Sequence, residues 1–386
     1  MPFSVRLFSV LLTISLLFSA LILSANAEED TTPPSVSAQS AILIDAVSGT
    51  VLYEKSADTV LPMASTTKIM TALVALEAMP IDTVITVDER SVGVEGSSIY
   101  LTDGEELTLE QLLYALLLES ANDAATAIAV GISGSVEEFA ELMNRKADEM
   151  GLENTQFQNP HGLDAEGHHT TAHELAEITA AALKNPAFEA MVSTRKTTIP
   201  HDGTDGVRLL VNHNKLLRSY EGTVGVKTGY TKKSGRCLVS AARRNGACLV
   251  AVTLNAPDDW QDHTSLLDFG FSQMETVELC DAHEVCTPIS VVGGETDAVF
   301  VSNPQGLTVS IPRDHTEIVK TVEAPRFLFA SVEAGETVGR LLYRCDLNGD
   351  GNLETVGEVP LTAQSGVERI KVKKNFWQWL CSLFGR

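Results

Sequence analysis

The stretch Met63-Ala-Ser-Thr-Thr-Lys-Ile-Met-Thr-Ala-Leu73 decides how the chain is read. Ser65 and Lys68 stand three apart at the start of an apolar run that continues through Ile69, Met70, Leu73, Val74 and Leu76. Helical spacing puts the two polar side chains on one face, within reach of each other. A lysine turned toward such a core is costly unless it has a partner or a task. The plain alternative is a capping serine followed by a solvated first-turn lysine. Spacing alone does not choose, because Ser193-Thr-Arg-Lys196 repeats it.

Working outward, two further clusters come in order. Ser120-Ala-Asn122 stands at the end of an apolar helix, and Lys227-Thr228-Gly229 lies on a strand leading into a hairpin. Ser24-Ala-Asn26 and Ser193 to Lys196 are stray fragments, and one ordered set places all three clusters on suitable elements. The surrounding pattern predicts strands at Ala41 to Ala46 and Ser48 to Glu54 around a glycine turn. A helical region starts at Thr108, with Thr108 and Gln111 as a capping box ahead of LLYALLLESANDAATAIAV. Helices also fit Val136 to Met150 and the run from Ala172, the latter with Thr171 and Glu174 as its box. Strands return at Thr223 to Tyr230, then at Arg236 to Arg243 and Ala247 to Leu254 about an Asn245-Gly246 turn. Strands, a block of helices, then strands describe a mixed α/β domain whose antiparallel sheet joins both ends of the segment.

From about Glu278 the texture becomes short β-prone runs, from Ile289 to Val292 through Thr355 to Leu361, most of them separated by Gly, Pro or Asn. That is the pattern of a small all-β sandwich. Asp346-Leu-Asn-Gly-Asp-Gly-Asn-Leu-Glu354 looks like a calcium loop, but its twelfth position is Gly357, where a bidentate glutamate is needed. A hairpin turn fits better. His161, His168, His169 and His173 raise the question of zinc. If Thr171 caps a helix, His169 lies outside it and cannot share a face with His173, so these read as loop and packing residues. No metal and no cofactor are expected.

Both ends are distinctive. Residues 1–27 carry Arg6, an apolar run from Leu7 to Leu23 and the small-x-small exit Ala25-Asn26-Ala27, the pattern of a cleaved export signal, with an uncleaved anchor as the alternative. Residues 367–386 set Lys371, Lys373 and Lys374 before Phe376, Trp377, Trp379, Leu380, Leu383 and Phe384. A helix from Phe376 onward would be only ~16 Å long, against ~30 Å of hydrocarbon. It fits an amphipathic helix lying at a membrane surface, with docking onto its own domain as the alternative. The predicted layout is therefore 1–27 signal, 28–37 linker, 38–275 α/β domain, 276–366 β-sandwich and 367–386 membrane helix. A net charge of −23 argues against nucleic acid as a partner. Hairpin register puts Cys248 opposite Arg243 and Cys237 opposite Leu254, too far apart to bond, which leaves Cys280 and Cys286 as the plausible disulfide.

With the three clusters in place, the chain resembles the low-molecular-mass penicillin-binding proteins, serine-type D-alanyl-D-alanine carboxypeptidases. The likeness extends through AILIDAVSGTVLYEKSAD, LPMASTTKIMTAL, GSSIYLTDGEELTLEQLLYALLLESANDAA, NPHGLDAEGHHTTAHELA, NHNKLL and GVKTGYTKKSGRCLVSAA, from about Ser37 to Met274. The family's middle cluster commonly reads Ser-Gly-Asn, and here its variable centre is Ala121. The resemblance implies a β-lactamase/transpeptidase-like fold, a peptidoglycan stem peptide ending in D-Ala-D-Ala as substrate, and acylation by β-lactam antibiotics. It implies Ser65 as nucleophile, Ser120 as proton relay, Asn122 as a holder of substrate amide and Lys68, and Lys227 with Thr228 as carboxylate binders. Gly229 would let the strand approach the substrate, and the backbone N–H of Tyr230 would join that of Ser65 in an oxyanion hole.

The chemistry asks most of Lys68. At the usual lysine pKa near 10.4 only about one molecule in a few thousand would be neutral at pH 7. A second ammonium about 5 Å away, from Lys227, would repel by roughly 3 kcal/mol at an effective dielectric near 20 and lower the pKa by about two units, with desolvation supplying the rest. The rival readings are a class A β-lactamase and an inactive wall-binding protein. A lactamase carries Glu-x-x-Leu-Asn between the second and third clusters, and no such pentapeptide lies between Asn122 and Lys227.

Overall fold

The computed structural model describes residues 32–201 and 206–371. The expected signal, the start of the linker and the tail beyond Lys371 therefore lie outside the described residues, and the described start of the expected tail helix is extended instead, Val367 bridging Val332 and Arg369 bridging Gly294. The strands run β1 (Ser40–Asp45), β2 (Val51–Lys55), β3 (Val84–Thr86), β4 (Glu106–Thr108), β5 (Lys196–Pro200), β6 (Val207–Val211), β7 (Thr223–Thr231), β8 (Gly235–Arg244) and β9 (Ala247–Leu254). The helices are α1 (Lys68–Ala78), α2 (Leu109–Leu118), α3 (Asn122–Ser133), α4 (Val136–Glu149), α5 (Ala172–Leu183), α6 (Pro186–Ser193), α7 (Leu216–Ser219) and α8 (Asp259–Gln273).

The central sheet has the order β2-β1-β9-β8-β7, so the first strand joins the three last, as the sequence pattern requires. Asn245 and Gly246 both take positive φ, 49° and 88°, which is what a two-residue hairpin turn demands. The register puts Arg243 opposite Cys248, as expected. Every residue of β1 is buried because the sheet is covered on both faces. Ile42 and Ile44 enter the core under the helical block, whereas Ala41 and Leu43 enter a second core under α8. The period of two sends alternate residues into different cores. Gly270 lets α8 sit close, since a Cβ there would lie 2.5 Å from Leu43 Cδ2. Helix α1 runs through the middle of the block against α2, α3, α4, α5 and α6, with Lys68 to Ala75 buried without interruption.

Caps and breaks obey local chemistry, with two departures. Thr108 accepts from Gln111 N while the Gln111 side chain accepts from Thr108 N, a complete capping box. Thr171 caps α5, but the Glu174 carboxylate accepts from Asn154 N and Thr155 Oγ1 instead of returning to its own cap. The expected single helical run from Thr108 is two helices, broken at residues 119–121.

Beyond α8 come β10 (Met274–Cys280), β11 (Cys286–Val292), β12 (Ala298–Ser302), β13 (Leu307–Pro312), β14 (Val319–Glu323), β15 (Phe327–Phe329), β16 (Thr337–Cys345) and β17 (Glu354–Ala363). A six-stranded sheet, β14-β16-β17-β12-β11-β15, closes on a core that includes Ile289, Val301, Leu341 and Val359, beside the pair β10-β13. The Asp346 loop joins β16 to β17, and its carboxylate accepts from the backbone N–H groups of Asn348, Gly349 and Gly351. Cys280 and Cys286 are not bonded, contrary to expectation. Cys280 is buried at the end of β10, where it accepts from Asn303 Nδ2, whereas Cys286 is exposed and accepts from Gln364 Nε2.

Replacing Thr108 by Ala removes the side-chain half of that box while the backbone stays compatible with a helix. The expected cost is about 1 kcal/mol of unfolding free energy, read from denaturant melts, and no loss would show the box to be idle.

Candidate active site

Ser65 sits in a 3-10 turn, Ala64–Thr67, that feeds directly into α1. The sequence placed the α-helix start at Ser65. Instead the helix proper begins at Lys68, because Ala64 takes φ +48° and the tighter turn must unwind before the α ladder starts. This strained turn is fastened from several sides. Thr66 Oγ1 donates to Met63 O and Thr67 Oγ1 to Ala64 O, at 2.6 and 2.8 Å. Thr71 Oγ1 donates to Pro160 O at 2.6 Å.

The histidines belong to the same scaffold. Gln158 N donates to His168 Nδ1, so the other nitrogen, Nε2, carries the proton and donates to Thr67 Oγ1 at 2.8 Å. Burial pushes His168 down to about 4 and His161 down to about 3, so both rings are neutral at ordinary pH. His169 pairs through its backbone with Gln156, and His173 Nδ1 meets Asp58 at 3.1 Å.

Lys68 has no exposed surface. Its Nζ donates to His161 O at 2.6 Å, to Asn122 Oδ1 at 2.7 Å and to Ser65 Oγ at 3.0 Å. Two acceptors and one hydroxyl surround the nitrogen. A neutral amine satisfies all three by donating to Asn122 and His161 while offering its lone pair to the Ser65 O–H. Burial is the main force pulling the Lys68 pKa well below the ordinary lysine value, with Lys227 repulsion second and Asp123 opposing. Burial alone brings Lys227 down to about 7.

Asn122 is the first residue of α3, not the last of α2. Its Nδ2 donates to Glu95 O at 2.6 Å and its backbone N to Ser97 O at 2.7 Å. Gly96 leaves room for it, since a Cβ there would lie 2.7 Å from Asn122 Nδ2. Ser120 occupies the break with φ +61°. On β7, Lys227 is 2% exposed and its Nζ donates to Thr228 O. Gly229 abuts the Ser65 turn, and a Cβ there would stand 3.1 Å from Ser65 N and 3.2 Å from Met63 O.

These elements enclose a cavity of about 290 Å³ lined by Ser65, Ser120, Thr228, Gly229 and Tyr230. It also takes in Ser97, His213, Arg236, Asp259 and Trp260, to which sequence reading gave no role. Arg236 is opposite Tyr230 in the hairpin, and its Nη2 donates to both oxygens of Asp259 at the start of α8. Lys227 is behind this wall, its ammonium turned onto a backbone carbonyl. The decoy behaves otherwise: Ser193 Oγ donates to Glu189 O and Ala190 O within its own helix, and Lys196 starts β5.

Gly162 shows how tightly the turn is held. It has φ +85°, and a Cβ would fall 2.0 Å from Ala64 O. Gly162→Ala must move the Ser65 turn or its own loop, and a loss of about 2 kcal/mol or more in unfolding free energy is expected. A melting curve matching wild type would show the contact to be slack.

A family model described as D-alanyl-D-alanine carboxypeptidase matches residues 27–258. D-alanyl-D-alanine carboxypeptidase DacF of Bacillus subtilis is 33% identical over 377 residues, covering 94% of this chain and 95% of its own. DacC of Escherichia coli is 32% identical over 376 residues, 93% and 91% of the two chains. Among solved structures, penicillin binding protein 5 of Haemophilus influenzae superposes with a TM-score of 0.62 at 27% identity, over 88% of this chain and 99% of that one. The Streptomyces K15 DD-transpeptidase superposes with a TM-score of 0.60 at 33% identity, over 62% and 99%. The chain belongs to the D-alanyl-D-alanine carboxypeptidase family, peptidase S11.

Proposed function

We propose that this protein is a serine-type carboxypeptidase that removes the terminal D-alanine from peptidoglycan stem peptides ending in D-Ala-D-Ala, through an acyl-enzyme on Ser65 that β-lactam antibiotics also form. The observation that carries the reading is the fully buried Lys68 amine, 3.0 Å from Ser65 Oγ and held by Asn122 and the His161 carbonyl. That is a nucleophile beside a base whose pKa burial lowers well below the ordinary lysine value.

In the first step the Ser65 proton passes to Lys68 Nζ as Oγ bonds to the scissile carbonyl carbon. The resulting oxyanion is met by the backbone N–H groups of Ser65 and Tyr230, which Gly229 allows to come together. The C–N bond then breaks, and Ser120 relays a proton to the departing D-alanine amine. Water releases the shortened peptide from Ser65 in the second half. Asn122 holds Lys68 and the substrate amide. The substrate carboxylate is bound by Thr228 and by Arg236, a cation on the cavity wall, with Lys227 adding positive potential from behind. The protein works on the outer face of the cytoplasmic membrane, exported by residues 1–27 and held by an amphipathic helix from Phe376 onward. No metal or cofactor takes part in these steps.

Incubation with a peptide ending in D-Ala-D-Ala is expected to release D-alanine from wild type and none from Ser65→Ala. Release that survives the substitution would remove Ser65 from the mechanism. A second expectation concerns pH. Lys227⁺ disfavours the protonated form of Lys68, so Lys227→Gln raises the Lys68 pKa, although burial still keeps it below the ordinary value. The acid limb of the acylation rate with a labelled penicillin therefore moves to higher pH. A limb that stays in place would contradict the coupling.

A further inference from the structure

Strand β15 lies at the edge of the six-stranded sheet and pairs parallel with β11, Phe327 against Ser290 and Phe329 against Val292. On the other side of β11, Pro288 pairs with Phe300 of β12. Alternation along β11 sends Ile289 and Val291 into the core, so the paired residues share the outer face. That face is apolar. Phe329 is 69% exposed, Phe300 53%, Ile370 52%, Val292 51% and Phe327 50%. The Phe327 and Phe329 rings meet edge to face with centroids 5.4 Å apart. Scattered exposed apolar residues are ordinary on a protein surface, but three half-exposed phenylalanines on one sheet face are not.

The route of the chain says what covers the face. Ile370 N donates to Gly293 O, just past Val292, so the chain leaves the fold beside Phe329. After Lys371 the sequence continues Val-Lys-Lys-Asn-Phe-Trp-Gln-Trp-Leu, a basic run and then aromatic residues. Exposed Arg326, Arg369 and Lys371, none with an acidic partner among the described residues, stand next to the patch in sequence. Aromatic rings edged by cations are the composition of a membrane interface. Exposed Glu295 and Glu368 lie at the same end, which leaves the rings rather than net charge to carry the attraction.

We infer that the outer face formed by Phe300, Phe327, Phe329 and Val292 is a second membrane-contacting surface, which inserts its rings among lipid headgroups beside the root of the tail. The inference rests on the membrane attachment proposed above. Two contacts fix an orientation that one amphipathic helix on a chain link leaves free, so the β-module becomes an oriented pedestal for the catalytic domain.

Flotation of the full chain with phosphatidylethanolamine/phosphatidylglycerol vesicles tests it. F327S/F329S is expected to lower vesicle partitioning about tenfold, with melting temperature and D-alanine release unchanged, and F327W/F329W to restore it. Unchanged partitioning of the serine variant overturns the inference. Stronger partitioning also overturns it, by assigning the face to the protein's own tail. Truncation after Lys371 reads the tail separately, and undiminished binding there overturns the tail reading while supporting the face.

Discussion

Two lysine side chains share one dry site, and the rest of the catalytic domain is arranged to make that tolerable. Lys68 is fully buried and Lys227 nearly so. Keeping both charged in such surroundings would cost several kcal/mol, and losing a proton is the cheaper course. The three groups bonded to Lys68 Nζ suit the neutral amine: two fixed acceptors, Asn122 Oδ1 and His161 O, and a hydroxyl able to point its proton at the lone pair, with the Asp123 charge opposing. His161 and His168 are themselves neutral, so they add no further positive charge. The apolar block that makes α1 a stable central helix is thus the agent that tunes its first residue.

The polar groups reach this interior at interruptions of regular structure. Ser65 comes from a 3-10 turn with Ala64 at positive φ, Ser120 from the break between α2 and α3, and the His161 carbonyl from a loop turning at Gly162. Such conformations persist only where surroundings over-determine them. Here they do: Glu119 in the helix break accepts from Val211 N, Asp123 accepts from Ile99 N and Leu101 N, and Thr67 joins the turn to His168. Strain is concentrated where the chemistry is and held by contacts to segments far away in sequence.

This explains what the sequence could and could not disclose. The Asn245-Gly246 hairpin, its register and the Thr108 box were legible because a few neighbouring residues determine them. So was the trio of clusters, because each needs a definite side chain on a definite element. The split at residues 119–121 was hidden in a continuously apolar run, where burial on all sides erases helical periodicity. Helix α8 was missed for a related reason, since it combines a polar first turn with Gly270 and shows little apolar stripe. Arg236, His213 and Asp259 reach the cavity through tertiary placement, and no local pattern marks them. The Cys280 and Cys286 pairing failed on exposure, because the two thiols face different environments although they are close in sequence.

The sheet supplies the last constraint. Lys227 is opposite Val239 and Gly229 opposite Cys237, and both partners belong to the core under the helical block. Residues 227 and 229 therefore share the face that meets the Ser65 turn. A slip of one residue in β7 would bring Thr228 or Tyr230 against Ser65 N, where even the Cβ of an alanine at Gly229 would be crowded, and would turn Lys227 out of the site. What prevents that slip is the packing of β8 and β9 into cores on both faces, together with the tight Asn245-Gly246 turn that pins them to each other. The spacing of Lys227 and Gly229 thus has its meaning only because a sheet buried on both sides admits one register, and the same burial lowers the pKa of the lysine it delivers.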